Sequence, residues 1–270
     1  MGQRYVLGLD WAGGKYGWAV CRLTPGAPDA LELTTLPAEG EDCALVREAA
    51  RIVVDAPVGL PDGCVSGCKL RDCDAAAKRW IGRALQSSVF PAPYAAELEE
   101  WRRRKAAGLT QKLGHFRGLL PAIHSAGVVR TLNADTLESH PELVFAALAG
   151  RPLPGFAAKT TLPGALYRLG LLAERCGLRV ELRRLADFGR RKSDDFIDAA
   201  AMAVVASDWL RDGDVSVLRG RTGEPELLGA SRGRRDFLMA LPSRGTDPRG
   251  RPLLSADEIA ATSKHWTSQE

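Results

Sequence analysis

No stretch of this chain stays apolar over the ~20 residues that a membrane-spanning helix needs. Nor is there a basic segment leading into an apolar one near Met1, which runs almost at once into Tyr5-Val6-Leu7. A secretory leader and a membrane anchor are therefore not expected, and a cytoplasmic location is. The Walker phosphate loop and the glycine fingerprint of dinucleotide-binding folds are both missing, so nothing points to those two nucleotide chemistries. Internal repeats are missing too. An excess of one charge sign is also absent. Lys and Arg total 37 against 33 Asp and Glu, a net of +4, too mild to establish nucleic-acid binding by charge alone. The six cysteines are scattered and read as reduced thiols. Cys64, Cys68 and Cys73 look like part of a zinc site, but no clear fourth ligand is near, and buried thiols are the expected reading.

What the chain does have is acid at the ends of apolar runs. Its 270 residues are 45% hydrophobic and 26% charged, enough for one large domain or two small ones. Asp10 ends the run Tyr5-Val6-Leu7-Gly8-Leu9, and Asp55 ends Ile52-Val53-Val54. Asp195 and Asp198 lie three apart at the start of an apolar stretch, Phe196-Ile197 and Ala199-Ala200. A carboxylate that closes a buried strand is costly to keep charged. Two such strand ends beside a helix face with two more acids form a cluster that attracts a cation, as hard divalent ions are held near a phosphate.

The spacing predicts short buried strands over 4–10 and 51–55, with further strands at Tyr16–Arg22 and Leu31–Leu36. The short gaps suggest a three-stranded antiparallel meander. Helical character over Asp42–Ala50 and a right-handed crossover would then set the Asp55 strand parallel to the first. Asp10 and Asp55 would emerge together at the carboxyl edge, where ligands bind in open α/β sheets. Residues 61–126 read as a mainly helical insertion, with helices at Arg71–Leu85, Ala95–Lys105 and Thr110–His124. Prolines exclude a helix over Gln86–Pro93. A fifth strand is expected at Val128–Glu138, followed by helices at Pro141–Leu148 and Leu162–Cys176. Leu178–Leu185 fits either strand or loop. The strongest helix is 194–211, with Ser193 as its cap. Residues 216–270 form an extension whose last part, 243–270, is rich in polar residues and expected to be poorly ordered.

Turn chemistry alone explains Asp10 and Asp55 singly, but two strand-terminal acids on neighbouring strands favour function. Asp194 and Asp195 suit a helix N-terminus electrostatically. Asp198, flanked by Phe196, Ile197, Ala199, Ala200 and Met202, does not, so Asp195 and Asp198 are taken as functional. Glu138, at the end of the fifth strand, is a reasonable additional ligand. Glu142 reads as a surface acid at a helix start, and His140 as a helix-capping residue or a proton shuttle. Of the basic clusters, Arg102 to Lys105 reads as a solvated helix face. Arg190, Arg191 and Lys192 directly precede the acidic pair and are expected to contact phosphate.

Together these segments resemble the DUF429 family, a group of predicted nucleases with the ribonuclease H-like fold. The matching pieces are Gly8 to Gly14 with Trp18, Asp55 to Pro61, Arg71 to Asp74, Ser87 to Pro93, and Glu138 to Glu142. Lys159-Thr160 with Gly164 and Arg168, and Asp194-Asp195 with Asp198, complete the ordered set. Trp11 departs from the small residue expected there. The resemblance implies an α/β fold with a five-stranded mixed sheet in the order 3-2-1-4-5, helices on both faces, and a nuclease-like acidic centre within residues 1–215. The expected activity is hydrolysis of RNA or DNA assisted by Mg2+ or Mn2+. Asp10 would bridge two ions, with Asp55 and Glu138 completing one shell and Asp195 and Asp198 the other. Ser88 and Lys159 are expected to join the three basic residues in holding substrate. Two other readings stay open: an actin-like protein that holds Mg-nucleotide with the same acids, and a module of this fold that binds nucleic acid without cleaving it.

Overall fold

The computed structural model describes residues 4–13, 16–38, 43–61, 71–109, 119–186, 192–213, 215–218, 225–227 and 239–242. Three antiparallel strands open the fold: β1 (Val6–Gly13), β2 (Gly17–Thr24) and β3 (Ala27–Leu36). A short helix α1 (Ala44–Glu48) then crosses to β4 (Arg51–Asp55), which lies parallel to β1. Next come α2 (Asp72–Ile81), α3 (Ala95–Ala106) and α4 (Leu120–Leu132), before β5 (Thr136–Glu138) joins β4 in parallel. The sheet order is β3-β2-β1-β4-β5, the mixed order expected, and it is consistent with a ribonuclease H-like topology. The chain continues through α5 (Pro141–Ala149), α6 (Leu162–Cys176), α7 (Leu182–Ala186) and α8 (Ser193–Asp212). Strands β6 (Ser216–Leu218), β7 (Pro225–Leu227) and β8 (Met239–Ala240) form a second small sheet in the order β7-β6-β8.

Strand alternation sorts the core into two faces. On one face, Leu7, Leu9, Trp18, Val20, Ile52 and Val54 pack with Val46 of α1 and with Ala122, Ala126 and Val129 of α4. Trp18 Nε1 donates to Ser125 Oγ at 2.8 Å, which ties α4 to the sheet. On the other face, Val6, Ala19, Cys21 and Val53 pack under α5, α6 and α8. Helix α8 lies very close to β1. A Cβ at Gly8 would sit 2.0 Å from the Ala199 carbonyl oxygen, so only glycine permits this contact. A third cluster joins Cys73, Ala77 and Trp80 of α2 to Leu143 and Ala147 of α5 and to Leu218, Met239 and Leu241 beside the small sheet.

Three expectations need correction. The fifth strand is only Thr136–Glu138, because Val128 and Val129 belong to α4. Ala122, Ala126 and Val129 recur at helical spacing and bury one face, and that packing outweighs the β-branched pair. Ser193 is the first residue of α8 rather than its cap, and the cap position, Lys192, makes no capping side-chain bond. Leu178–Leu185, expected as strand or loop, is irregular up to Glu181 and then enters the helix α7. Residues 110–118 and 243–270, expected to be a helix start and a poorly ordered tail, lie outside the described residues.

Candidate active site

Asp10 and Asp55 are direct register partners across the parallel β1–β4 pair. Both follow the alternation that puts Gly8 and Val53 on the α8 face, so their side chains project to the same side of the sheet's carboxyl edge. Asp10 is 3% exposed. Burial raises its carboxyl well above the ordinary range, the Asp55 charge and a hydrogen bond between the two acids raise it further, and Asp198 adds to the effect. Lys159 pulls the other way.

Glu138 behaves differently, and the register says why. It pairs with Val54, one residue short of Asp55, and so projects from the opposite face. There it accepts from Arg71 Nη1 at 2.8 Å and also from Nη2, while the Val58 backbone N–H donates to it at 3.0 Å. Arg71 holds Asp74 as well, at 2.7 and 3.0 Å, which closes a buried triad of one guanidinium and two carboxylates.

On the α8 side, Asp198 is fully buried and each of its oxygens holds a cation. Lys159 Nζ donates to Oδ2 at 2.8 Å, and Arg168 Nη1 donates to Oδ1 at 2.8 Å. Arg168 also reaches Glu142 Oε1 at 3.0 Å, and His140 Nδ1 lies 3.1 Å from Glu142 Oε2. The Asp198 charge, followed by those of Asp10 and Glu142, holds the Lys159 ammonium above its usual range against burial. Burial alone would lower His140, but the charges of Asp55 and Glu142 outweigh it and push the imidazole up to about 9. The strand acids and the helix acid thus meet around Lys159. Asp195 is partly buried, 3.3 Å from Lys192, and burial and Asp194 raise it. Lys192 also donates to the Ala12 carbonyl. Arg190 and Arg191 lie outside the described residues.

Several of these roles were not expected. Glu142 is not a surface acid: it is buried and its charge is matched by Arg168 and His140. His140 occupies the cap position of α5 without capping it, and its Nε2 lies 3.2 Å from the Ser88 carbonyl. The signal for Arg168 was available: with Gly164, Leu171 and Leu172 it forms the buried stripe of α6, where an arginine must have partners. Gly164 is needed because a Cβ there would sit 2.0 Å from the Ala158 carbonyl oxygen, and this contact seats the loop bearing Lys159 against α6.

The acids open into a cavity of about 580 Å3. Asp10, Asp55, His140 and Lys159 line its polar part, and Trp11, Phe90 and Ile123 are among its apolar walls. Ser88 lines it too, although its hydroxyl donates to the Leu85 carbonyl at 2.8 Å. Phe90 is 59% exposed. Among the described residues, no three His, Cys, Asp or Glu side chains are arranged to hold a metal ion. A pair of carboxylates still fits Mg2+, which keeps much of its water and commonly takes only one or two protein acids together with substrate oxygens.

A family model described as a protein of unknown function, DUF429, matches residues 8–222. The chain belongs to the DUF429 family. That match spans β1 through β6 and so includes all the acids described above. No curated protein and no solved structure matches the chain. Among the described residues, no helix is long and apolar enough to cross a membrane.

Proposed function

We propose that this DUF429 protein hydrolyses phosphodiester bonds of nucleic acid, using a divalent ion, Mg2+ or Mn2+, held by Asp10 and Asp55. The observation that carries this reading is the register pair itself, Asp10 buried and Asp55 half-buried. The Asp55 charge raises the Asp10 carboxyl, and a divalent cation between the two would relieve that repulsion. Such an ion supplies Lewis-acid chemistry, making water nucleophilic at neutral pH and drawing charge from a phosphoryl oxygen.

The chain's own residues supply the rest. His140, protonated at neutral pH, lines the cavity and holds the proton that a leaving oxygen requires. Lys159 adds a fixed positive charge beside the acids, where a phosphate would lie. The apolar walls suit a base or sugar, and exposed Phe90 offers a stacking face. Glu138 lines the same cavity but is held by Arg71 and the Val58 backbone, so it shapes the wall and does not face the ion. Asp195 and Lys192 form a matched pair at the start of α8.

The test is cleavage of end-labelled single- and double-stranded RNA and DNA by the full chain, with and without Mg2+ or Mn2+. Cleavage should require the ion. Asp10→Asn and Asp55→Asn should each lower it by at least about 100-fold, as loss of a ligand does, without unfolding the chain. Cleavage that survives both substitutions, or that proceeds equally in chelator, would sink the reading.

A further inference from the structure

The acids of this site fall into two groups, and only one has room for an ion. Asp10 and Asp55 are register partners, and Lys159 is the one cation among the main influences on Asp10. Asp198, across the site on α8, has no free oxygen: Arg168 takes one and Lys159 the other, both at 2.8 Å. A second divalent ion that used Asp198 would have to displace Lys159.

That displacement is opposed from several directions. Lys159 responds to three carboxylates at once, Asp198, Asp10 and Glu142. An ammonium suits this position because it is a compact charge with three donors. The loop beneath it is closely seated. Gly164 abuts the Ala158 carbonyl, and Thr161 Oγ1 accepts from the Gly164 backbone at 3.1 Å, so the residues on both sides of Lys159 are tied to the first turn of α6. The charge balance leads to the same place. Asp10, Asp55, Glu142 and Asp198 face Lys159, Arg168 and protonated His140, which leaves a single negative charge if every acid ionises. One divalent ion takes that to a single positive charge, and two would take it to three.

We infer that Lys159 is a resident cation standing where a second divalent ion would otherwise bind, so that this centre takes one ion, at Asp10 and Asp55. The inference rests on the metal reading of those two acids and departs from a two-ion arrangement in which Asp195 and Asp198 hold the second ion. Lys159 is here a positioning residue: it keeps Asp198 and Asp10 apart in charge and leaves the strand pair as the place for the ion.

The test is a count of bound ions, which is independent of turnover. The full chain, stripped with chelator, is titrated with Mn2+ while free Mn2+ is followed by electron paramagnetic resonance. The wild type should bind one ion. Lys159→Met should bind two, and Lys159→Gln, whose amide can still reach Asp198, should do the same if the methionine variant does not fold. Lys159→Arg keeps the charge and should stay at one. A wild type that binds two ions overturns the inference. So do folded Lys159→Met and Lys159→Gln proteins that both remain at one. If the wild type binds none while Lys159→Met binds one, Lys159 stands as the resident cation and the Asp10–Asp55 metal reading falls. If none of the proteins binds Mn2+, the metal reading and this inference fail together.

Discussion

Two groups of acids lie at or near the carboxyl ends of neighbouring strands in this molecule, and they have opposite fates. Glu138, at the end of β5, is neutralised by Arg71 in a triad with Asp74. Asp10, inside β1, and Asp55, at the end of β4, face each other with no guanidinium between them among the described residues, and the Asp55 charge raises the Asp10 carboxyl. All three acids looked alike as strand-terminal carboxylates. The difference teaches that a buried acid signals chemistry only when its charge is left unanswered, since an answered charge is part of the scaffold.

Substitutions can break this contrast, and the largest effect is expected on the answered side. Arg71→Met leaves Glu138 and Asp74 buried without their partner, and should destabilise the chain by about 3–5 kcal/mol in urea unfolding. A loss near zero would mean that the triad is not structural.

The next effect reads the unanswered side through pH. His140 is raised from 6.5 to about 9, so its contribution is fully present below about pH 6.5 and is lost as pH rises through 9. Thermal melts should show stability falling across that window by up to about 3 kcal/mol. His140→Gln should flatten the slope, and Asp55→Asn should weaken it, because Asp55 is the largest of the influences that raise the imidazole.

A smaller loss is expected where helix and strand acids are brought together. In Gly8→Ala the new Cβ would meet the Ala199 carbonyl oxygen at 2.0 Å and push α8 from the sheet. The variant should lose about 1–3 kcal/mol, as overpacked cores do, and should cleave more slowly because Asp198 and Lys159 move relative to Asp10.

The smallest effect has the opposite sign. Asp10 is raised, so in the metal-free chain its stability contribution is present at low pH and is lost as pH rises through its folded value. Asp10→Asn should therefore raise Tm at neutral pH by about 2–4 °C. The gain should shrink on acidification. A variant that melts below the wild type at neutral pH would show that Asp10 is already compensated.

Much of the sheet could be read from residue order. Apolar runs bounded by glycine and acid located β1 and β4, and the crossover rule set them parallel, which brought Asp10 opposite Asp55. The same reasoning missed on Glu138, because a strand's end is visible in composition but its register is not, and one residue of offset reverses the face. Glu142 was misread because proximity to a helix start was weighed above the apolar character of Leu143-Val144-Phe145-Ala146, the very test that singled out Asp198.

Residue order thus determined the strand runs, the helix with Asp198 in its apolar flank, and the set of acids from which a site could be built. Tertiary structure decided which of those acids are neutralised. Arg71 and Glu138 are 67 residues apart, Lys159 and Asp198 are 39 apart, and Arg168 and Asp198 are 30 apart. The physical reason is that a charge interaction is set by distance in space and by the exclusion of water. Both arise only once the sheet and its two covering layers have closed over the pairs.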